Sequence, residues 1–281
     1  MGETARFAFG ANWASFLNTI DAEAYEQAQR SLRELLQTDS LVNKRFLDIG
    51  SGSGLFSLAA FQMGASVTSM DVDPDSVRCT QTCQNQALQS ASSQITAPHW
   101  EVIEGSVLDK ALMGRLGEYD VVYSWGVLHH TGEMSHAIEL ASQRVALGGQ
   151  LVIAIYNDQG GASRRWLAIK QTYHRLPKSI RPLFVGMVAS VYEAKFAVAR
   201  LFAGRNPLPF SDWKAKRRDR GMSVWHDWVD WVGGLPFEFA KPEGIIMPLI
   251  QKEFELRRLT TVGSGWGCNQ YVFQRGDSIS T

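Results

Sequence analysis

Three glycines alternate with serines in Gly50-Ser51-Gly52-Ser53-Gly54, directly behind the apolar run Phe46-Leu47-Asp48-Ile49. Glycine takes positive φ without penalty and lets a ligand approach the backbone with no Cβ in the way. Where such a loop opens a helix, unpaired N–H groups and partial positive charge face the same space. Asp71 follows about 20 residues on, at the end of the next apolar run, where a carboxylate can accept hydrogen bonds from ribose hydroxyls. Together these residues form a cradle for a nucleotide-like ligand. The spacing is G-x-G-x-G rather than G-x-G-x-x-G, no Lys or Arg flanks the loop, and no G-x-x-x-x-G-K-[ST] run occurs. Nothing therefore marks a phosphate seat.

Other residues could move a proton or orient a second ligand. His129 and His130 follow the run Tyr119–Ser124, and an imidazole with an ordinary pKa of about 6.5 suits a base at neutral pH. Asn157 ends a fifth apolar run, in Tyr156-Asn157-Asp158, and either orients an acceptor or opens a turn. His226 lies within Trp225-His226-Asp227-Trp228, but neighbours in sequence do not face each other on a helix, so His226 and Asp227 are a weak base–acid pair. Cys79, Cys83 and Cys268 have no zinc spacing, and no third ligand joins the histidine pair, so no metal site is expected.

The elements that would position these residues alternate. An amphipathic helix is expected over 21–37, strands over 44–49, 67–70, 100–104, 119–124 and 151–156, and helices over 55–63, 75–89 and 134–145. Two closing strands are expected over 256–262 and 270–274. Strand–helix alternation implies a parallel sheet covered on both faces, with ligands gathering at the carboxyl ends of the strands.

At this point the chain resembles the class I S-adenosylmethionine-dependent methyltransferases. Their first motif is similar to Leu47-Asp48-Ile49-Gly50-Ser51-Gly52-Ser53-Gly54, and their ribose-binding acid matches Asp71. Their fourth-strand motif matches the stretch from Tyr119 to His130, and their Pro-Gly-Gly turn stands here as Leu147-Gly148-Gly149. Their third-strand Gly-Asp is Gly105-Ser106 in this chain, so a serine hydroxyl takes the place of the carboxylate. The resemblance implies an α/β fold: a seven-stranded, mostly parallel Rossmann-like methyltransferase sheet with a helical lid inserted after strand five. It implies S-adenosyl-L-methionine as cofactor. Asp48, Gly50, Ser51, Gly52, Asp71 and Val72 would hold its amino-acid and ribose parts, and Ser106, Val107 and Trp125 would border the adenine or the sulfonium. His129, His130, Asn157 and His226 are then the candidates for work on the acceptor.

Composition bounds the remainder. The 281 residues are 45% hydrophobic and 20% charged, which builds a sizeable core and excludes a disordered chain. Lys+Arg and Asp+Glu are 28 each, which disfavours a whole-molecule polyanion binder. Charge is uneven, however: Arg164 to Arg220 carries fourteen Lys or Arg against three acids, with Trp213, Trp225, Trp228 and Trp231 clustered there and just beyond. The chain thus reads as an N-terminal flap and helix over 1–40, including the aromatic stretch from Phe7 to Trp13, a cofactor core over 41–156, a basic and aromatic lid over 157–240, and the rest of the core over 241–281. The expected acceptor is a small or lipid-like molecule, methylated at oxygen; the alternative is a nucleic acid held by the basic insertion. Peripheral membrane contact through the apolar, Arg-flanked stretch 181–204 is a further expectation. No apolar run reaches about 18 residues, so no transmembrane helix is expected. Free cysteines and the absence of a signal-like start suggest a cytoplasmic protein.

Overall fold

The structure is a computed structural model describing residues 22–91, 99–204, 206–208, 224–263 and 267–277. The stretch from Phe7 to Trp13 lies outside them. In chain order the elements are α1 (Ala22–Leu36), β1 (Arg45–Ile49), α2 (Leu55–Gln62), β2 (Ser66–Asp71), α3 (Pro74–Ala91), β3 (Trp100–Glu104), α4 (Lys110–Arg115), β4 (Tyr119–Trp125), α5 (Met134–Ser142), β5 (Val145–Tyr156), α6 (Gly161–Arg175), α7 (Arg181–Phe202), α8 (Val224–Gly233), α9 (Pro242–Ile250), β6 (Phe254–Thr260) and β7 (Cys268–Arg275).

The seven strands form one sheet in the order β3-β2-β1-β4-β5-β7-β6. β1 to β5 pair in parallel, and the β6–β7 hairpin closes the edge antiparallel to β5. The order reverses between β1 and β4, the kind of switch point where open sheets of this type bind ligands. β1, β4 and β5 are apolar and buried through most of their length, as strands covered on both faces must be. Leu47, Val122, Leu128, Leu151, Ile153 and Phe273 are among the fully buried side chains of the core.

β5 and α4 differ from expectation, and α9, between the insertion and the closing strands, was not anticipated either. β5 starts at Val145, not Leu151, and runs through Gly148-Gly149. A register shift lets Tyr119 pair with Val145 while Val121 pairs with Gln150. A Cβ on Gly149 would stand 3.0 Å from the Asp120 carbonyl oxygen and 3.1 Å from that of Tyr119, so the glycine serves a bulge. α4 was not anticipated, although Asp109 is a cap of ordinary kind, its carboxylate accepting from the amides of Ala111 and Leu112 at 2.9 and 3.0 Å.

The chain divides into two compact units. One comprises Ile20–Gln159 and Phe237–Thr281, and contains the whole sheet; the other includes Gly160–Pro236. In the sheet unit the chain leaves and returns through adjoining residues. Ala240 N donates to the Tyr156 carbonyl at 3.0 Å, Asp158 N donates to the Ala240 carbonyl at 3.0 Å, and Asn157 bridges Ala240 in parallel.

The second unit has its own aromatic core. Trp166 on α6 stacks on Tyr192 of α7 at 4.8 Å and approaches Trp231 of α8 at 5.8 Å, while Trp228 comes within 6.2 Å of Tyr192. Lys170 is buried here, and its ammonium donates to the Trp231 carbonyl at 2.6 Å, near the end of α8. α7 is 22 residues long and, by length and composition alone, apolar enough to cross a membrane. The expectation of no transmembrane helix rested on unbroken apolar runs, and α7 contains none of that length, because Glu193, Lys195 and Arg200 interrupt it.

Candidate active site

Asp48, Ser69 and Tyr123 occupy matched positions on three adjacent strands: Asp48 pairs with Ser69 across β1–β2 and with Tyr123 across β1–β4. Matched positions share a face of the sheet, so these side chains form a row. α2 lies above it, and the Ser57 hydroxyl donates to Asp48 Oδ2 at 2.6 Å. Behind it, Ser69 Oγ donates to Ser57 Oγ at 2.6 Å, and Trp100 Nε1 donates to Ser69 Oγ at 2.8 Å. The chain of donors thus runs Trp100, Ser69, Ser57, Asp48. Asp48 is 2% exposed, and burial lifts its carboxyl to about 7. Tyr123 Oη is also buried, and among the described residues it meets no hydrogen-bond partner. A fully buried hydroxyl without a partner costs stability unless a ligand or water supplies one. None of Ser57, Ser69, Trp100 and Tyr123 was anticipated. Strand alternation shows which residues share a face, but only the register shows that these meet.

The glycine loop follows this row. Gly50, Gly52 and Gly54 have φ of +81°, +55° and +80°, a region that penalises any side chain. The Ser51 hydroxyl pairs with Thr80 Oγ1 at 2.9 Å, and Cys83 Sγ donates to the Ser53 carbonyl at 3.2 Å, which bolts the loop to α3. Ser51 therefore offers a ligand its backbone, not its hydroxyl. Asp71 closes the far side: Oδ2 accepts from Gly52 N at 3.0 Å and Oδ1 from Asp73 N at 2.9 Å. The Val72 amide adds a third donor, and the carboxylate, with about four lone-pair sites, retains room for a further one. Burial raises the Asp71 carboxyl, against the pull of those amides. Val72 beside it is 46% exposed, an apolar surface at the mouth of the cradle.

Ser106 sits one residue past Gly105, whose amide donates to the Asp71 carbonyl at 2.8 Å. Its hydroxyl accepts from Leu108 N at 3.2 Å and shapes the turn into α4. Val107, expected beside a ligand, is instead a core residue in the cluster with Met70, Met113 and Leu128. Trp125 stacks on Tyr123 at 5.7 Å with planes 5° apart, which places an indole at the end of β4.

The histidines lie on a single 3-10 turn, Leu128–His130. His129 is fully buried, packs against the Tyr156 ring at 4.0 Å, and through Nδ1 accepts from Tyr156 N at 3.4 Å. A neutral imidazole that accepts at Nδ1 carries its proton on Nε2, so it donates there rather than accepts. His130 is half-buried and meets Tyr156 edge-on at 5.4 Å, and Phe237 completes the aromatic wall at 5.3 Å from Tyr156. The turn is held from the far end of the excursion: Glu238 N donates to the His129 carbonyl at 2.9 Å, and the Glu238 carboxylate accepts from Met134 N at the start of α5.

Asn157 is committed to the fold. Nδ2 donates to the Gly263 carbonyl at 2.9 Å, and Oδ1 accepts from Asn269 Nδ2 at 3.0 Å, tying β5 to the closing hairpin. His226 lies on α8 with its side chain outside the described residues. Among the described residues, no cluster of His, Cys, Asp or Glu is placed to hold a metal.

A buried acid beside a hydroxyl without a partner among the described residues, a glycine cradle, an acid at the end of β2 and a half-buried indole fit a cofactor with a cationic amino-acid tail, a ribose and a flat base. The comparisons agree on the class. Residues 20–184 match Methyltransf_23, a methyltransferase domain, and the chain belongs to that family, among the class I S-adenosylmethionine-dependent methyltransferases. It is 29% identical over 157 residues to a ubiquinone biosynthesis O-methyltransferase of Pseudomonas entomophila, covering 52% of this chain and 62% of that one. A protein of the same description from Escherichia coli is 27% identical, over 45% of this chain and 48% of its own. The match thus spans less than two thirds of these curated relatives. The fold is shared with magnesium protoporphyrin IX methyltransferase of Synechocystis, solved with bound S-adenosylhomocysteine: TM-score 0.51, 14% identity, 98% of this chain and 90% of that chain.

Proposed function

We propose that this protein transfers the methyl group of S-adenosylmethionine to an oxygen of a small, lipid-like acceptor. The observation that carries the reading is the row of Asp48 and Tyr123 beneath the glycine loop, at the same sheet edge as the His129–His130–Tyr156 wall. Asp48 and Tyr123 hold the amino-acid tail, Gly50, Ser51 and Gly52 line its path with backbone, Asp71 accepts from the ribose hydroxyls, and Val72, Ser106 and Trp125 border the base. When bound, the cofactor supplies an electrophilic methyl on cationic sulfur, open to in-line displacement. An aromatic face such as Trp125 tolerates that cation. The protein's work is then to orient the acceptor and remove its proton.

His129 braces Tyr156 through Nδ1. His130 has solvent-facing surface and takes the proton of the acceptor hydroxyl on an imidazole nitrogen. The aromatic wall of Tyr156 and Phe237 favours an apolar acceptor body, in keeping with relatives described as acting in ubiquinone biosynthesis.

The test has two stages. Calorimetric titration with S-adenosylmethionine and S-adenosylhomocysteine, with nicotinamide dinucleotides as controls, is expected to show saturable binding of the sulfur compounds alone. Radiolabelled methyl transfer to a panel of apolar hydroxylated acceptors, compared with amines and oligonucleotides, then identifies the acceptor class. His130→Ala is expected to lower kcat at least about tenfold with cofactor affinity intact. A normal kcat, or transfer to amines or oligonucleotides only, overturns this reading.

A further inference from the structure

α7 has two apolar faces, and among the described residues only one is covered. Val185 and Val188 are buried, and Tyr192 and Phe196 continue that stripe against Trp166 and Trp228. On the far side Leu183, Met187, Val191, Val198, Leu201 and Phe202 each expose more than half of their surface. At 100° per residue these six positions fall within an arc of roughly 100°, and the helix carries it along roughly 33 Å. Lys195 borders the arc. Glu193 and Arg200 lie on the other flank and face each other at 3.8 Å.

The segment that carries this face is strongly basic. From residue 160 to residue 204 the sequence carries eight Lys or Arg and one acid, Glu193. Arg164, Arg165, Arg175, Lys178 and Lys195 are exposed. The charge imbalance selects the occupant. A second copy would bring two equally basic units together, at a cost in repulsion. A nucleic acid would meet an aliphatic face rather than a basic track with stacking platforms. A bilayer surface with anionic headgroups satisfies both halves at once: apolar side chains enter the acyl boundary while Lys and Arg meet phosphates. Spanning is disfavoured, because the inward stripe is already packed against Trp166 and Trp228.

We propose that the outward face of α7 seats this protein on an anionic lipid surface, with the helix lying in the plane of the interface. Membrane binding stands independently of the methyl acceptor, so a chain that binds vesicles but methylates no apolar acceptor leaves it intact.

The experiment is vesicle flotation of the full chain, on phosphatidylcholine alone and on phosphatidylcholine with phosphatidylglycerol. The chain is expected to float with the anionic vesicles, with a partition coefficient at least about tenfold lower on the neutral ones. Met187→Glu/Val191→Glu is expected to lose tenfold or more on anionic vesicles, while its helical far-ultraviolet and aromatic near-ultraviolet circular dichroism, the latter reporting the packing of Trp166, Tyr192, Trp228 and Trp231, match the parent chain. Arg175→Glu/Lys178→Glu is expected to lose roughly tenfold on anionic vesicles and to leave binding to neutral ones unchanged. Absence of flotation on anionic vesicles overturns the proposal, as does flotation of either double variant on anionic vesicles equal to that of the parent chain. So does a dimer in sedimentation that Met187→Glu/Val191→Glu dissociates while no lipid is bound, which would make this face a self-interface.

Discussion

Asp48→Asn replaces a buried carboxyl with a neutral amide of the same shape, and the consequence depends on pH in a way that the structure fixes. Burial lifts the Asp48 carboxyl from 3.8 to about 7, the Ser57 hydroxyl pulls the other way, and the charge of Asp71 adds to the rise. Between those two values the folded chain keeps a proton that the unfolded chain has released. The unfolded state then binds fewer protons, so stability falls as pH rises. The stabilising contribution is full below the unfolded value and is lost by about pH 7, after which this group adds no further slope. At about 1.4 kcal/mol per tenfold, the whole loss is on the order of 4 kcal/mol. Asn does not titrate. Other acids raised by burial, Asp71 and Glu238, are present in both proteins and largely cancel in the difference. Urea unfolding of the ligand-free proteins is therefore expected to show the variant gaining about 2–3 kcal/mol over the parent chain between about pH 5 and pH 8. Parallel pH profiles would refute the assignment of a proton to Asp48 in the folded, ligand-free state.

Two further predictions concern the loop and the acid beyond it. Gly54→Ala puts a Cβ 2.9 Å from the Thr80 Cα at a φ of +80°, so the variant is expected to lose about 1–3 kcal/mol in urea unfolding; an unchanged midpoint contradicts it. Asp71→Ala removes an acceptor worth about 1.5–3 kcal/mol when charged, so the calorimetric Kd for S-adenosylmethionine is expected to weaken by about 10- to 100-fold. An unaltered Kd removes Asp71 from the ribose assignment.

How much the sequence discloses depends on how local the signal is. The glycine loop and Asp71 are legible because strand, loop, helix and acid follow one another within a short stretch, and local chemistry requires each. Asp48 is legible as part of that motif, but its partners are not. Ser57 is nine residues away on α2, Ser69 and Tyr123 lie on other strands, and only the β1–β2 and β1–β4 registers bring them together. Val107 shows the reverse failure: its place after Gly105-Ser106 suggests a ligand, while the turn into α4 aims it at the core. For Asn157 the sequence leaves a turn and a substrate contact open, and Gly263 and Asn269, far along the chain, claim its amide. In α7 the apolar character and flanking basic residues are visible in the sequence, but the division into two faces depends on Trp166 and Trp228 choosing one of them.

The hydrogen bonds among Tyr156, Asp158 and Ala240 have an evolutionary consequence. They bring the two ends of the excursion together within the sheet unit itself, through backbone groups alone. Side-chain identity inside Gly160–Pro236 does not enter that closure, and the entropy of closing a loop grows only with the logarithm of its length. Drift, lengthening or wholesale exchange of the excursion therefore leaves strand order and cofactor cradle untouched. The sheet unit can be held constant by its chemistry while the excursion is free to diversify, with Tyr156 and Ala240 as the fixed point of attachment.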